Sequence, residues 1–120
     1  MIKENLTCEG NPVHLKEIRG MSIEACKKRL AELSKGLAHP VRVEIVRMLE
    51  NKLHEERCVC GDIVDALPLA QSSVSQHLKV LKETGWVQGN IDGPCVCYCT
   101  VEGILECYLT LLKRSLCNGK

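Results

Sequence analysis

Nine of the 120 residues are cysteine, at positions 8, 26, 58, 60, 95, 97, 99, 107 and 117. Thiolates are nucleophiles and soft ligands, so the chemistry they offer is capture of a thiophilic ion or oxidation. The number is odd, no hydrophobic export signal stands behind the start MIKENLTCEG, and a reducing cytoplasm keeps most thiols free. A disulfide framework is therefore not expected, and the expected location is cytoplasmic. Two groups are closely spaced, Cys58-Val59-Cys60 and Cys95-Val96-Cys97-Tyr98-Cys99. No C-x-x-C occurs, which argues against a zinc ribbon and against a thioredoxin-like redox pair. His14, His39, His54 and His77 include no pair at helical spacing, so an all-imidazole metal site is not visible.

A second constellation is Gln71-Ser72-Ser73-Val74-Ser75-Gln76-His77-Leu78-Lys79-Val80-Leu81-Lys82. Val74, Leu78 and Leu81 recur at i, i+4 and i+7, the stripe of a helix packed on a core. Ser72, Ser73, Ser75, Gln76, Lys79 and Lys82 must then face outward. Ser and Lys suit phosphate oxygens and Gln can pair bidentately with adenine, the mixture a helix needs in a major groove. Taken alone, such a face is as readily an ordinary solvated surface. What precedes it favours DNA: a short helix over Asp62 to Leu67, then the tight turn Pro68-Leu69-Ala70-Gln71, make a helix-turn-helix. The candidate DNA-binding residues are Gln71, Ser72, Ser73, Ser75, Gln76, His77, Lys79 and Lys82.

The remaining elements position these two groups. Residues 1–21 carry Gly10, Pro12 and Gly20 with little apolar periodicity and read as a loosely ordered arm, followed by one domain over 22–117. Ser22 is a plausible N-cap for a helix to about Gly36, and His39-Pro40 starts another to about Leu49, with Val43, Ile45, Val46 and Leu49 apolar. Arg42 on that helix reads as an ion-pair partner. Glu55 to Cys60 reads as a brief strand. Trp86-Val87-Gln88 and Cys95 to Val101 flank Asn90-Ile91-Asp92-Gly93-Pro94, turn chemistry that predicts a β-hairpin, a wing. Along its second strand Val96, Tyr98 and Thr100 are expected inward, sending Cys95, Cys97 and Cys99 together to the other face. They would lie about 7 Å apart along the strand, so two of them plus a thiol from elsewhere could meet one ion. The last helix, Glu102 to about Leu116, has a stripe too wide for its own small domain to cover, which predicts a homodimer.

Composition bounds the rest. Hydrophobic residues make up 45% and charged residues 26%, ordinary for a single domain, and a multidomain enzyme is excluded. Sixteen Lys and Arg against 15 Asp and Glu give a formal charge of +1, so any nucleic-acid site must be local. No apolar run is long enough for a membrane span. A Cys-His hydrolase or reductase would need an activated thiol, and neither a Gly-rich nucleophile turn nor C-x-x-C is present, so no enzyme is expected.

Leu37-Ala38-His39-Pro40-Val41-Arg42-Val43-Glu44-Ile45-Val46, Gly61-Asp62-Ile63-Val64 and Ser73-Val74-Ser75-Gln76-His77-Leu78-Lys79-Val80-Leu81 with Gly85 resemble the ArsR/SmtB family over about residues 30–112. The resemblance implies a mainly α winged helix-turn-helix, a homodimeric repressor that binds double-stranded operator DNA and is released by its signal. Family signals include arsenite, antimonite, cadmium, zinc and redox change. Soft three-thiolate sites favour As(III) or Sb(III), with Cd(II) or Zn(II) as further possibilities. Cys58-Val59-Cys60 looks like the family's arsenic box, but Gly61 intervenes before Asp62, a shift of one residue. Cys60 is then either a ligand or a small core hydrophobe. The short strand before the helix-turn-helix pairs with the wing in this fold, which makes Cys58, Cys60, Cys95, Cys97 and Cys99 the candidate metal ligands. An intersubunit site using Cys8, Cys26, Cys107 or Cys117 and a redox switch on the same fold stay open, although Cys26 and Cys107 read as packing residues and Cys8 and Cys117 as lying in mobile ends.

Overall fold

The computed structural model describes residues 15–51, 58–92 and 95–117, and within these spans the side chains other than those at 15, 16, 58–60, 90–92 and 95. In chain order the elements are α1 (Leu15–Arg19), α2 (Ile23–Gly36), α3 (Pro40–Glu50), β1 (Cys58–Val59), α4 (Cys60–Ala66), α5 (Gln71–Thr84), β2 (Val87–Asp92), β3 (Cys95–Thr100) and α6 (Ile104–Leu116). The mainly α, winged architecture read from the sequence is the one observed.

Helix starts and stops follow local chemistry. Ser22 accepts from the Ala25 N–H to cap α2, and His39, ahead of Pro40, caps α3 through its ring Nδ1 on the Val41 N–H, 3.1 Å away. Gly85 takes a left-handed φ of 99°, and its N–H closes α5 on the Leu81 and Lys82 carbonyls. Across the short turn from α4, α5 buries Val74, Leu78 and Leu81, the three positions its spacing marks.

With few aromatics the core is aliphatic, built from Ile18, Leu33, Ile45, Ile63, Leu78, Leu81, Ile104 and Leu111 around a fully buried Trp86. The Trp86 indole N–H donates to the Leu33 carbonyl at 2.7 Å, and its ring meets Tyr108 edge-on at 5.1 Å. At Gly36 a Cβ would fall on Thr84 Oγ1 and 2.6 Å from the indole, so only glycine lets α2 lie this close to the end of α5. Tyr108 and Ser34 hydroxyls, 2.8 Å apart, join α6 to α2.

The strands form one antiparallel sheet ordered β1-β3-β2, with Cys58 opposite Tyr98, Val59 opposite Cys97 and Gln88 opposite Cys99. The expected pairing of the short strand with the wing is therefore present. Two boundaries and the burial of one residue differ from the sequence reading. Cys60 begins α4 rather than ending the strand, and residues 52–57 lie outside the described residues. Residues 15–21, read as arm, belong to the folded body: Ile18 is buried, and Arg114 of α6 donates to the Arg19 and Met21 carbonyls at 3.0 and 2.9 Å. The rest of that arm, residues 1–14, lies outside the described residues. Val43, placed on the apolar stripe of α3, is exposed, while Ile45, Val46 and Leu49 carry the packing.

Candidate nucleic-acid interface and cysteine sites

Because Val74, Leu78 and Leu81 bind α5 to the core, its other face is turned out: Gln71, Ser72, Ser75, Gln76, Lys79 and Lys82 are exposed and Ser73 is partly so. Ala70 precedes the helix without a side-chain cap, leaving first-turn N–H groups and the positive end of the helix dipole at the same surface. Ser75, Leu78, Lys79, Lys82 and Glu83 line a groove of about 350 Å³ whose far wall is Tyr98 of the wing. Two ammonium groups and a hydroxyl, groups that suit a phosphodiester backbone, thus border the channel together with the Glu83 carboxylate and the wing. Tyr98 was absent from the candidate set; only the β3 register puts it there, since its opposite residue, Gly89, has no side chain to cover it.

His77 is the member of the candidate set that turns elsewhere. Its partly buried ring lies 4.5 Å from the His39 ring, centroid to centroid, and its Nδ1 is 3.2 Å from Arg42 Nη1. Burial, then the His39 and Arg42 charges, hold the imidazole below the usual histidine range. Arg42, expected in an ion pair, has carbonyl and imidazole partners among the described residues: its Nε donates to the Gly36 carbonyl at 2.8 Å and its Nη2 to that of Lys35 at 3.4 Å. Sequence spacing hides this cluster because its members come from α2, α3 and α5.

The cysteines divide. The alternation along β3 holds, with Val96 and Tyr98 both beside Gly89, but the cysteine face is not a free surface. Cys97 is only 7% exposed, whereas Val96, expected inward, is 37% exposed. Helix α3 packs against β3, so its two faces are not simply core and solvent. Cys99, partly buried, is disulfide-bonded and accepts weakly from Gln88 Nε2 at 3.9 Å, whereas Cys26, Cys97, Cys107 and Cys117 form no disulfide. Cys26 and Cys107 are buried packing residues, as expected, and Cys117 is exposed. Burial, with Glu106 adding to it, pushes the Cys107 thiol up.

Side chains of Cys58, Cys60 and Cys95 lie outside the described residues, as do His14, His54 and Cys8. Among the described residues no group of three His, Cys, Asp or Glu could hold a metal ion. Backbone register places Val59, not a cysteine, opposite Cys97, and a disulfide sulfur offers no thiolate, so Cys97 and Cys99 in this state do not make two arms of a three-thiolate site.

Residues 39–88 match the model of the family described as "Bacterial regulatory protein, arsR family". The chain is 48% identical to the HTH-type transcriptional repressor SmtB of Mycobacterium tuberculosis over 67 residues, 56% of this chain and 47% of that protein, so it spans about half the length of that relative. To the transcriptional activator HlyU of Vibrio cholerae it is 31% identical over 111 residues, 92% of this chain and 94% of HlyU. The solved HlyU structure superposes with a TM-score of 0.60 over 76% of this chain and 95% of that one, at 27% identity. The homodimeric winged helix-turn-helix domain of Mb0332 from Mycobacterium bovis, 21% identical, shares the fold with a TM-score of 0.61 over 77% and 82% of the two chains. These relatives are named as regulators of transcription rather than enzymes, in keeping with the reading that the chain catalyses nothing. The likeness to HlyU runs nearly end to end and the family's helix-turn-helix motif lies within it, so the protein belongs to the ArsR/SmtB family of winged-helix, DNA-binding transcriptional regulators.

Proposed function

We propose that the protein is a cytoplasmic homodimeric repressor that holds a partly palindromic double-stranded operator through α5 and the wing and releases it when a thiol-directed signal arrives. The observation that carries the DNA reading is the outward polar face of α5, with Ser75, Gln76, Lys79 and Lys82 exposed beside the Tyr98 wall. Dimerisation is supported by α6, whose Leu105 and Leu109 are 43% and 52% exposed although they flank the buried Cys107. A two-fold partner is the economical cover for such a face.

As(III) or Sb(III) is the favoured signal, with Cd(II) or Zn(II) as alternatives, held by thiolates drawn from Cys58, Cys60, Cys95, Cys97 and Cys99 in the reduced protein. The pairing of β1 with β3 supports this set, because it brings the Cys58-Val59-Cys60 segment beside the cysteine-rich strand. A redox signal on the same residues is the second reading, favoured by the disulfide at Cys99. The structure of the relative HlyU is also known in its reduced form.

One experiment addresses both. A labelled duplex is selected by the protein from a random-sequence pool, and its release is followed by fluorescence anisotropy. Reduced protein is titrated with As(III), Sb(III), Cd(II) and Zn(II), and in parallel with peroxide in the absence of metal. Release by arsenite with thiol reductant present is expected. Release by peroxide alone supports the redox reading, and failure to select any duplex defeats the DNA reading. Changing Cys97 and Cys99 together to Ser should abolish induction; full inducibility of that variant removes the wing thiols from the site.

A further inference from the structure

The sequence places His77 among residues that touch DNA, yet its ring points back to the start of α3. An arginine guanidinium has only donors, so the 3.2 Å contact with Arg42 Nη1 makes His77 Nδ1 an acceptor. The imidazole is then neutral, with its proton on Nε2. The same guanidinium reaches the Gly36 and Lys35 carbonyls at the end of α2. His39 completes the group by capping α3 with Nδ1 while its ring lies against that of His77. Three elements therefore converge on one hydrogen bond whose acceptor sits on the DNA-facing helix.

We propose that His77 is a positioning residue, not a base or phosphate contact: its neutral ring fixes the orientation of α5 through Arg42, and protonation of that ring releases the helix and lowers DNA affinity. The proposal rests on the DNA-binding reading of α5. A protonated Nδ1 would present a donor to a donor and a positive charge to a positive charge. The groups facing the ring are His39 and Arg42 of α3; α2 contributes the Lys35 and Gly36 carbonyls on the far side of the guanidinium. On α5 the residues a turn away, Ser73, Val74, Val80 and Leu81, are uncharged, and on α4, which packs on α5, Asp62 and Asp65 are exposed. Burial first, then His39 and the Arg42 guanidinium, favour the neutral form, which the geometry requires.

The test compares wild type, His77→Asn and His77→Leu on the selected duplex between pH 7.5 and 5.5, with thermal melts on each. Asn keeps an acceptor near the Nδ1 position that does not titrate in this range. At pH 7.5 Asn should bind within about threefold of wild type, and Leu, which removes the acceptor, at least about tenfold more weakly. On acidification wild type should weaken relative to Asn by about threefold to tenfold, a ratio that cancels effects of other titrating groups. The proposal is overturned if wild type and Asn keep a constant ratio across pH, if wild type gains on Asn in acid as a phosphate contact would, or if a folded Leu variant binds like wild type. Should Leu fail to fold, the wild-type-to-Asn ratio decides alone. Absence of any duplex selected by wild type refutes the DNA reading instead, so the two failures are distinguishable.

Discussion

Gln76 and Lys79 stand three residues apart on the exposed face of α5 and should separate specificity from affinity. Gln76→Ala is expected to cost about 1–3 kcal/mol on the selected duplex and little on random DNA, because base contacts specify. Lys79→Ala should weaken both and lower the slope of log affinity against log salt by about one per subunit. Anisotropy titrations at several salt concentrations check both. His77 gives a stability prediction of definite sign. Its pKa is lowered on folding, first by burial, so the unfolded chain binds more protons than the native one in acid. The contribution of the neutral ring is complete above about pH 6.5 and declines as pH falls toward the lowered native value. Urea midpoints from pH 7.5 to 5.5 should drop more steeply for wild type than for His77→Asn. At this scale the outward polar set was legible, since residue type and period define it. The inward turn of His77 was not, because its partners lie on other elements.

Among the elements, α6 carries two faces that substitutions should tell apart. Leu111 is buried against its own subunit, and Leu111→Ala should lower stability by about 2–5 kcal/mol, read from urea unfolding. Leu109→Ala should leave each subunit folded and shift the monomer–dimer equilibrium, read by sedimentation; a stable wild-type monomer at micromolar concentration would defeat the dimer reading. The longer helices were legible because Ser22, His39-Pro40 and Gly85 mark their ends and apolar repeats fill their lengths. Helix α1 was not, since five residues are too few to show a period and, among its described side chains, Ile18 is the buried one. The exposure of Cys97 was misjudged for another reason. Alternation tells which residues share a face but not whether that face is covered, and here α3 packs against β3.

At the scale of the whole molecule, a net charge of +1 provides no general attraction to DNA, so under the proposed function two copies of α5 would have to reach two sites at once. Half-sites should be spaced by about one helical turn, 34–36 Å, or a multiple. Inserting about half a turn, 5 base pairs, between the halves of the selected duplex should reduce affinity to that of one half-site, measured in the same titration. The structure also supplies an optical reporter. Trp86 is the chain's one indole, and its partners are the Leu33 carbonyl of α2 and the Tyr108 ring of α6, hard against the last turn of α5 at Thr84. Its native emission should therefore be blue-shifted, and a signal that swings α5 against α2 must alter the indole's surroundings. Intrinsic fluorescence, with no dye attached and no DNA present, then reports whether arsenite or peroxide moves the helix that DNA would contact.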